Sequence, residues 1–393
     1  MIRGLMAAQA LALSAAPLIV LTGGLAGARL HPDPAFATLP VAALIIGMAA
    51  AVWPVAQMAN RFGRRPVFVF MMLLGVVAAL MASASDWSGS FWGFTASTFL
   101  LGATGAAVQQ FRFLAMEAVA VEERAGVASR LLLAGLVSAF LGPELSRLSR
   151  WSAQFPDLVL PDLVLPFAGL ALCLLLAAVI LWWVIPSGRN QIATSEAHGG
   201  RSWSELFRQP KLWLAMASAS IGYAVMAYVM TATPLSMTGA AQLDLAQARW
   251  VIQSHIIAMF LPSLFTGLLI RRFGFQAIIF TGLLFMLATL VMALAGIMLL
   301  HYWVSLVLLG IGWNFLFVSG TALLGECYRP EEAGRVQGLN DSLIFGIQAV
   351  ASLGSGMVLL MLGWNGLILS TLPALSVLVL ILLWNRLQRR TAY

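Results

Sequence analysis

Apolar residues in this chain arrive in runs of about 20, separated by short loops that carry arginine, and each run is long enough to cross the ~30 Å hydrocarbon core of a bilayer as a helix. That pattern settles the environment in which the chain folds. A backbone in lipid must satisfy its own hydrogen bonds, so runs of this length read as membrane-spanning helices rather than strands or loops. The runs fall at 8–28, 38–59, 67–85, 91–117, 126–146, 163–186, 211–236, 248–270, 276–297, 300–326, 337–362 and 365–386. The one long polar stretch, 187–210, separates six spans from six and reads as a linker between bundles at 1–186 and 211–393. With 61% hydrophobic and 9% charged residues, the composition excludes a soluble enzyme, a disordered chain and a disulfide scaffold. The expected fold class is therefore an all-α integral membrane protein of twelve transmembrane helices in two six-helix bundles.

Arg3 ahead of an Ala/Leu run imitates a secretory signal, but the apolar stretch continues to Ala28, past the short core of a signal peptide. It is read as the first span. If both termini are inside, 17 of the Arg and Lys residues fall in loops on that side and 4 on the other, with Arg112 left within a span. The positive-inside rule then places both termini and the linker in the cytoplasm. The formal charge of +7 is explained by this asymmetry, and no nucleic-acid partner is expected. Cys173 and Cys327 lie within or at the end of apolar runs and form no CxxC pair.

Two motifs recur at nearly one offset. Asn60-Arg61-Phe62-Gly63 follows the second span and Arg271-Arg272-Phe273-Gly274 the eighth, 211 residues on. Glu117 with Glu122-Glu123 follows the fourth span and Glu326 with Glu331-Glu332 the tenth, 209 residues on. A six-span unit has been duplicated in parallel, the arrangement that rocking transporters use. A channel or a receptor that transports nothing is the rival class, and the duplication disfavours it.

On these features the chain resembles the major facilitator superfamily over essentially its whole length: six plus six spans, a cytoplasmic linker, and the basic loop Asn60-Arg61-Phe62-Gly63-Arg64-Arg65. That family usually has an acid where Asn60 stands, so the likeness implies the fold and alternating access but no charge-based gate at position 60. A narrower likeness lies in the seventh and eighth spans, where Met226/Met230 and His255/Met259 are similar to the Met-x-x-x-Met and His-x-x-x-Met of the CcoA-type copper importers. That resemblance implies copper uptake, with these four residues as metal ligands. The cysteines that such importers use near those helices are absent here, and similar relatives are associated with organic substrates such as riboflavin.

Geometry gives the copper reading its own support. Residues at i and i+4 share a helix face. At ~1.5 Å per residue, Met230 and His255 lie about 10 Å from the outer ends of their spans, and Met226 and Met259 about 15 Å. Thioethers and an imidazole form a soft set suited to Cu(I). Against this, Met commonly fills gaps in apolar helices, whereas an ionisable group such as His255 inside a span points to function unless it is a buried histidine bonded to Gln253 or Ser254.

The other candidates suit an organic substrate. Arg112 on the fourth span either faces a central cavity, as the superfamily likeness implies, or snorkels to the cytoplasmic interface. Trp313 and Asn314 on the tenth span, and Gln57 beside Trp53 on the second, offer ring faces and amides. Glu117 and Glu326 are expected to form gating ion pairs with the basic loops Arg61, Arg64, Arg65 and Arg271, Arg272. Asp341 is expected to cap the eleventh span, and Glu144 to be solvated at the interface or paired with Arg147 or Arg150. Gly135 and Gly142-Pro143 keep part of the exporters' glycine motif while Leu145-Ser146 replaces its end, so efflux of a drug or metabolite stays in view. No GxxxxGK[ST], GxSxG or HExxH occurs. The expectation is a secondary transporter without enzymatic activity or cofactor, working as a monomer among membrane lipids on a copper ion or small molecule.

Overall fold

A computed structural model describes residues 1–111, 114–115, 131, 133–152, 160–186 and 200–391. Among these residues every regular element is helical, and nine segments are long and apolar enough to cross a bilayer, ten when the bent pair Leu245–Phe260 and Ser263–Phe273 is taken as one span. One of the nine, Arg335–Gln388, has 54 residues, about 80 Å of helix against ~30 Å of hydrocarbon. It breaks at Gly363, where φ is +66°, between the ends predicted for the eleventh and twelfth spans. Trp364 donates its indole N–H to the carbonyl of Ala293, at the end of the ninth span (3.0 Å), while Gln276 at that span's start bonds Asn385. The twelfth span therefore runs antiparallel to the ninth. Of the fifth span, the helix among the described residues is Ala134–Leu145.

The surface is inverted relative to a soluble protein. Trp183 is 81% exposed and Val350 73%, an outer face that only lipid can cover. Inside, small residues let backbones approach. A Cβ on Gly47 would collide with the carbonyl of Phe99, and one on Gly102 with that of Leu44, so the second and fourth spans meet backbone to backbone. Buried hydroxyls turn back onto their own helices, as Thr22 does to Leu18 (2.7 Å) and Thr266 to Pro262 (2.8 Å), which leaves few polar atoms to face hydrocarbon.

The repeat read from sequence is present in the backbone. Gly63 (φ +91°, ψ 156°) and Gly274 (φ +82°, ψ 161°) each end one helix and begin the next in a conformation open only to glycine. Arg61 lies over the ring of Phe62 at 5.3 Å, and Arg272 over Phe273 at 5.3 Å.

The chain divides into two compact units, one of Met1–Ile192 with Thr231–Ile257 and the other of Ala193–Met230 with Ala258–Tyr393. In the first unit, Asp86 at the end of the third span is buried against Arg29 of the first and accepts the Leu163 N–H of the sixth at 3.0 Å. The hairpin Thr231–Ile257 joins this unit partly through Gln253, which donates to Glu144 at 3.1 Å. Its two boundaries coincide with prolines: Pro234 cannot donate to the carbonyl of Met230, nor Pro262 to that of Ala258, and the eighth span bends by 41° at the second.

Candidate functional site

The second unit holds a cluster of aromatic rings contributed by four spans. Trp313 of the tenth span lies flat on Phe317 one turn later, with ring centroids 5.0 Å apart and planes at 9°. Tyr223 of the seventh span meets both edge-on, at 5.1 and 5.3 Å. Phe260 of the eighth stands 6.2 Å from Trp313, and Phe345 of the eleventh 6.4 Å from Tyr223. Ring pairs at such spacing are favourable beyond the area they bury, and their faces suit a flat conjugated molecule. Sequence reasoning named Trp313 alone of this group. The i, i+4 spacing of Trp313 and Phe317 was the one local signal for the rest.

Asn314, nominated beside Trp313 as a substrate contact, is fully buried and turned the other way. Its amide donates to the carbonyl of Met259 at 2.7 Å and to Ser263 Oγ at 2.6 Å, and its oxygen, 2.7 Å from Thr266 Oγ1, shares that hydroxyl's one proton with the Pro262 carbonyl. The break before Pro262 removes helical donors from this stretch of the eighth span, and the Asn314 carboxamide replaces them. Gln57 is exposed on the face that also carries Trp53. Arg112 lies outside the described residues.

Of the proposed metal set, Met226 and Met259 are buried and Met230 half-buried in the second unit, whereas His255 is fully buried in the first. Gln253, suggested as a partner of His255, donates its amide to Glu144. Glu144 also pairs with Arg147 at 2.9 Å, one of the alternatives expected for it. Among the described residues no group of three or more His, Cys, Asp or Glu side chains is arranged to hold a metal ion.

The charged residues assigned to gating are arranged differently from expectation. Glu326 pairs with Lys211 at the start of the seventh span, not with Arg271 or Arg272, which are exposed. Glu117 lies outside the described residues. Arg64 is buried, Arg61 exposed, and Arg65 stacks on Trp182 at 4.1 Å. Asp341 does not cap the eleventh span, because a 3-10 turn at Pro330–Glu332 starts the helix at Ala333 and leaves Asp341 two turns inside, accepting from Asn340 at 3.3 Å.

The linker's end is held more firmly than a polar tether needs to be. Glu332 is buried and accepts from the Arg201 backbone N–H (2.6 Å), Arg201 Nε (3.1 Å), Arg201 Nη2 (2.7 Å) and the Arg329 N–H (2.9 Å). These bonds, those from the Arg201 side chain above all, hold its carboxyl down at about 2 and raise the Arg201 guanidinium in turn. Arg201 Nη2 and Gln209 Nε2 both reach the carbonyl of Cys327, at 2.9 and 3.2 Å. Ser202 and Glu205 form a reciprocal cap on the short helix Trp203–Phe207, which the sequence shows as Ser-x-x-Glu. The pairing of Arg201 with Glu332 had no local signal.

Comparison with known proteins places these elements in a family. Residues 5–239 match the model of the Major Facilitator Superfamily. The chain is 36% identical over 385 residues to the riboflavin transporter RfnT of Brucella anthropi, covering 98% of this chain and 95% of that one. It superposes on the nucleoside transporter NupG with a TM-score of 0.75 at 12% identity (98% of this chain, 99% of that one). A bacterial homologue of the human lysosomal transporter Spinster gives 0.72 at 14% (99% and 96%). The chain belongs to the major facilitator superfamily and is a multi-pass membrane transporter, not an enzyme.

Proposed function

We propose that this member of the major facilitator superfamily is a secondary transporter that carries a flat heteroaromatic molecule of the riboflavin kind across the bacterial inner membrane by alternating access, with both termini cytoplasmic. The observation that carries this reading is the cluster of Tyr223, Phe260, Trp313, Phe317 and Phe345, whose ring faces suit a conjugated tricycle. The relative described as a riboflavin transporter, matched over nearly the whole chain, supports it. Copper uptake has less behind it, because the relative matched over nearly the whole chain is described as a transporter of an organic molecule.

Counterflow tests the reading without presuming import or export. Proteoliposomes preloaded with unlabelled riboflavin should accumulate external radiolabelled riboflavin above protein-free liposomes, and Tyr223→Ala or Phe317→Ala should lower that accumulation. Accumulation no greater than in protein-free liposomes, together with protein-dependent entry of copper, would overturn the proposal in favour of the metal.

A further inference from the structure

Three buried polar atoms on the helices that supply the aromatic cluster have no hydrogen-bond partner among the described residues: Trp313 Nε1, Gln348 Oε1 and Ser220 Oγ. Their residues are only 4%, 7% and 4% exposed. All three belong to the second unit and lie close to the rings in sequence. Trp313 is itself in the cluster, Gln348 follows Phe345 by one helical turn on the same face, and Ser220 precedes Tyr223 by one turn. In an apolar interior an unpaired donor or acceptor is a cost that native structures rarely carry, and one that persists calls for an explanation. Other buried polar groups of the unit divide: the Asn314 amide is taken up by Met259, Ser263 and Thr266 and the Trp364 indole by Ala293, while Ser319 Oγ and Asn340 Oδ1 also lack a hydrogen-bond partner among the described residues. Orphaned atoms within one helical turn of clustered rings are what a ligand with a polar edge would satisfy.

The types of atom narrow that edge. An indole N–H can only donate and so requires an acceptor, while a carboxamide oxygen can only accept and so requires a donor; a serine hydroxyl serves either. Resting on the transport reading above, we infer that this site recognises the imide edge of a heteroaromatic ring system, an N–H flanked by carbonyls. Trp313 Nε1–H donates to a ring carbonyl and Gln348 Oε1 accepts the imide N–H, with Ser220 Oγ as an auxiliary contact. The aromatic faces hold any planar ring of suitable size, and these polar atoms select among them. A site built to pair a polar group discriminates strongly against a ligand lacking it, because its own buried atom is then left unpaired.

The test is equilibrium binding to the purified full-length protein in detergent, with riboflavin and N3-methylriboflavin as probes. Methylation removes the imide N–H and leaves the tricycle and sugar chain unchanged. Wild type should bind riboflavin at least about tenfold more tightly than the methylated probe, the least expected for one unpaired buried group. Gln348→Leu should weaken riboflavin binding about tenfold and erase the difference between probes, whereas Trp313→Phe should weaken both and keep the difference. The wild-type comparison needs no variant to fold. Equal affinity of wild type for the two probes would overturn the inference and leave riboflavin transport standing; no binding of either probe would overturn the transport reading and this inference with it.

Discussion

Replacing Asn314 with Leu separates a structural amide from a substrate contact. The substitution roughly conserves volume but removes the donor from the Met259 carbonyl (2.7 Å) and the partner of Ser263 Oγ (2.6 Å). Thr266 keeps its bond to the Pro262 carbonyl. A buried group left unpaired costs about 1–3 kcal/mol, so two such groups place the loss at about 2–4 kcal/mol once the bent helix relaxes. For a unit of this size each kcal/mol moves Tm by about 2–4 °C, giving an expected fall of about 5–15 °C. Unfolding should be followed for purified protein at a single scan rate, since transporters commonly unfold irreversibly. Ser263→Ala added to Asn314→Leu should cost less than the two single losses combined, because both remove the same bond. Riboflavin affinity measured well below the transition should stay near wild type. A Tm unchanged to within about 1 °C together with lost binding would refute the reasoning and return Asn314 to the substrate, where its neighbour Trp313 stands.

Two further outcomes are expected. Gly274→Ala should cost about 1–3 kcal/mol from backbone conformation alone, since a Cβ there meets nothing within 4 Å while φ is +82°; an unchanged Tm would show that the helix junction can re-form in another conformation. Glu332 has its carboxyl held at about 2, below its ordinary 4.5, so its contribution is complete above about 4.5 and is lost as pH falls toward 2. Hydrogen exchange at residues 200–209 should accordingly stay slow from pH 7 to about 4.5 in wild type and be fast already at pH 7 in Glu332→Gln. Equal exchange in the two proteins at pH 7 would show that the charge does not hold the linker.

Much of this molecule is written locally in its sequence. Runs of about 20 apolar residues specify spans because helix rise and bilayer thickness are fixed lengths, and the break at Gly363 fell where the run ended. Gly63 and Gly274 were legible as a repeated motif, since a helix junction with positive φ admits one residue type. Partnerships between distant residues were not legible. Asp341 looked like a cap until a 3-10 turn moved the helix start to Ala333. Glu326 looked matched to Arg271 and Arg272 but met Lys211, and Arg201 found Glu332 131 residues away. Trp313 and Asn314 adjoin in sequence, yet about 100° of helical rotation sends one into the ring cluster and the other to the broken eighth span. Sequence periodicity says that a residue is on a helix; which neighbour its side chain meets depends on how the helices pack, and that the tertiary structure alone decided.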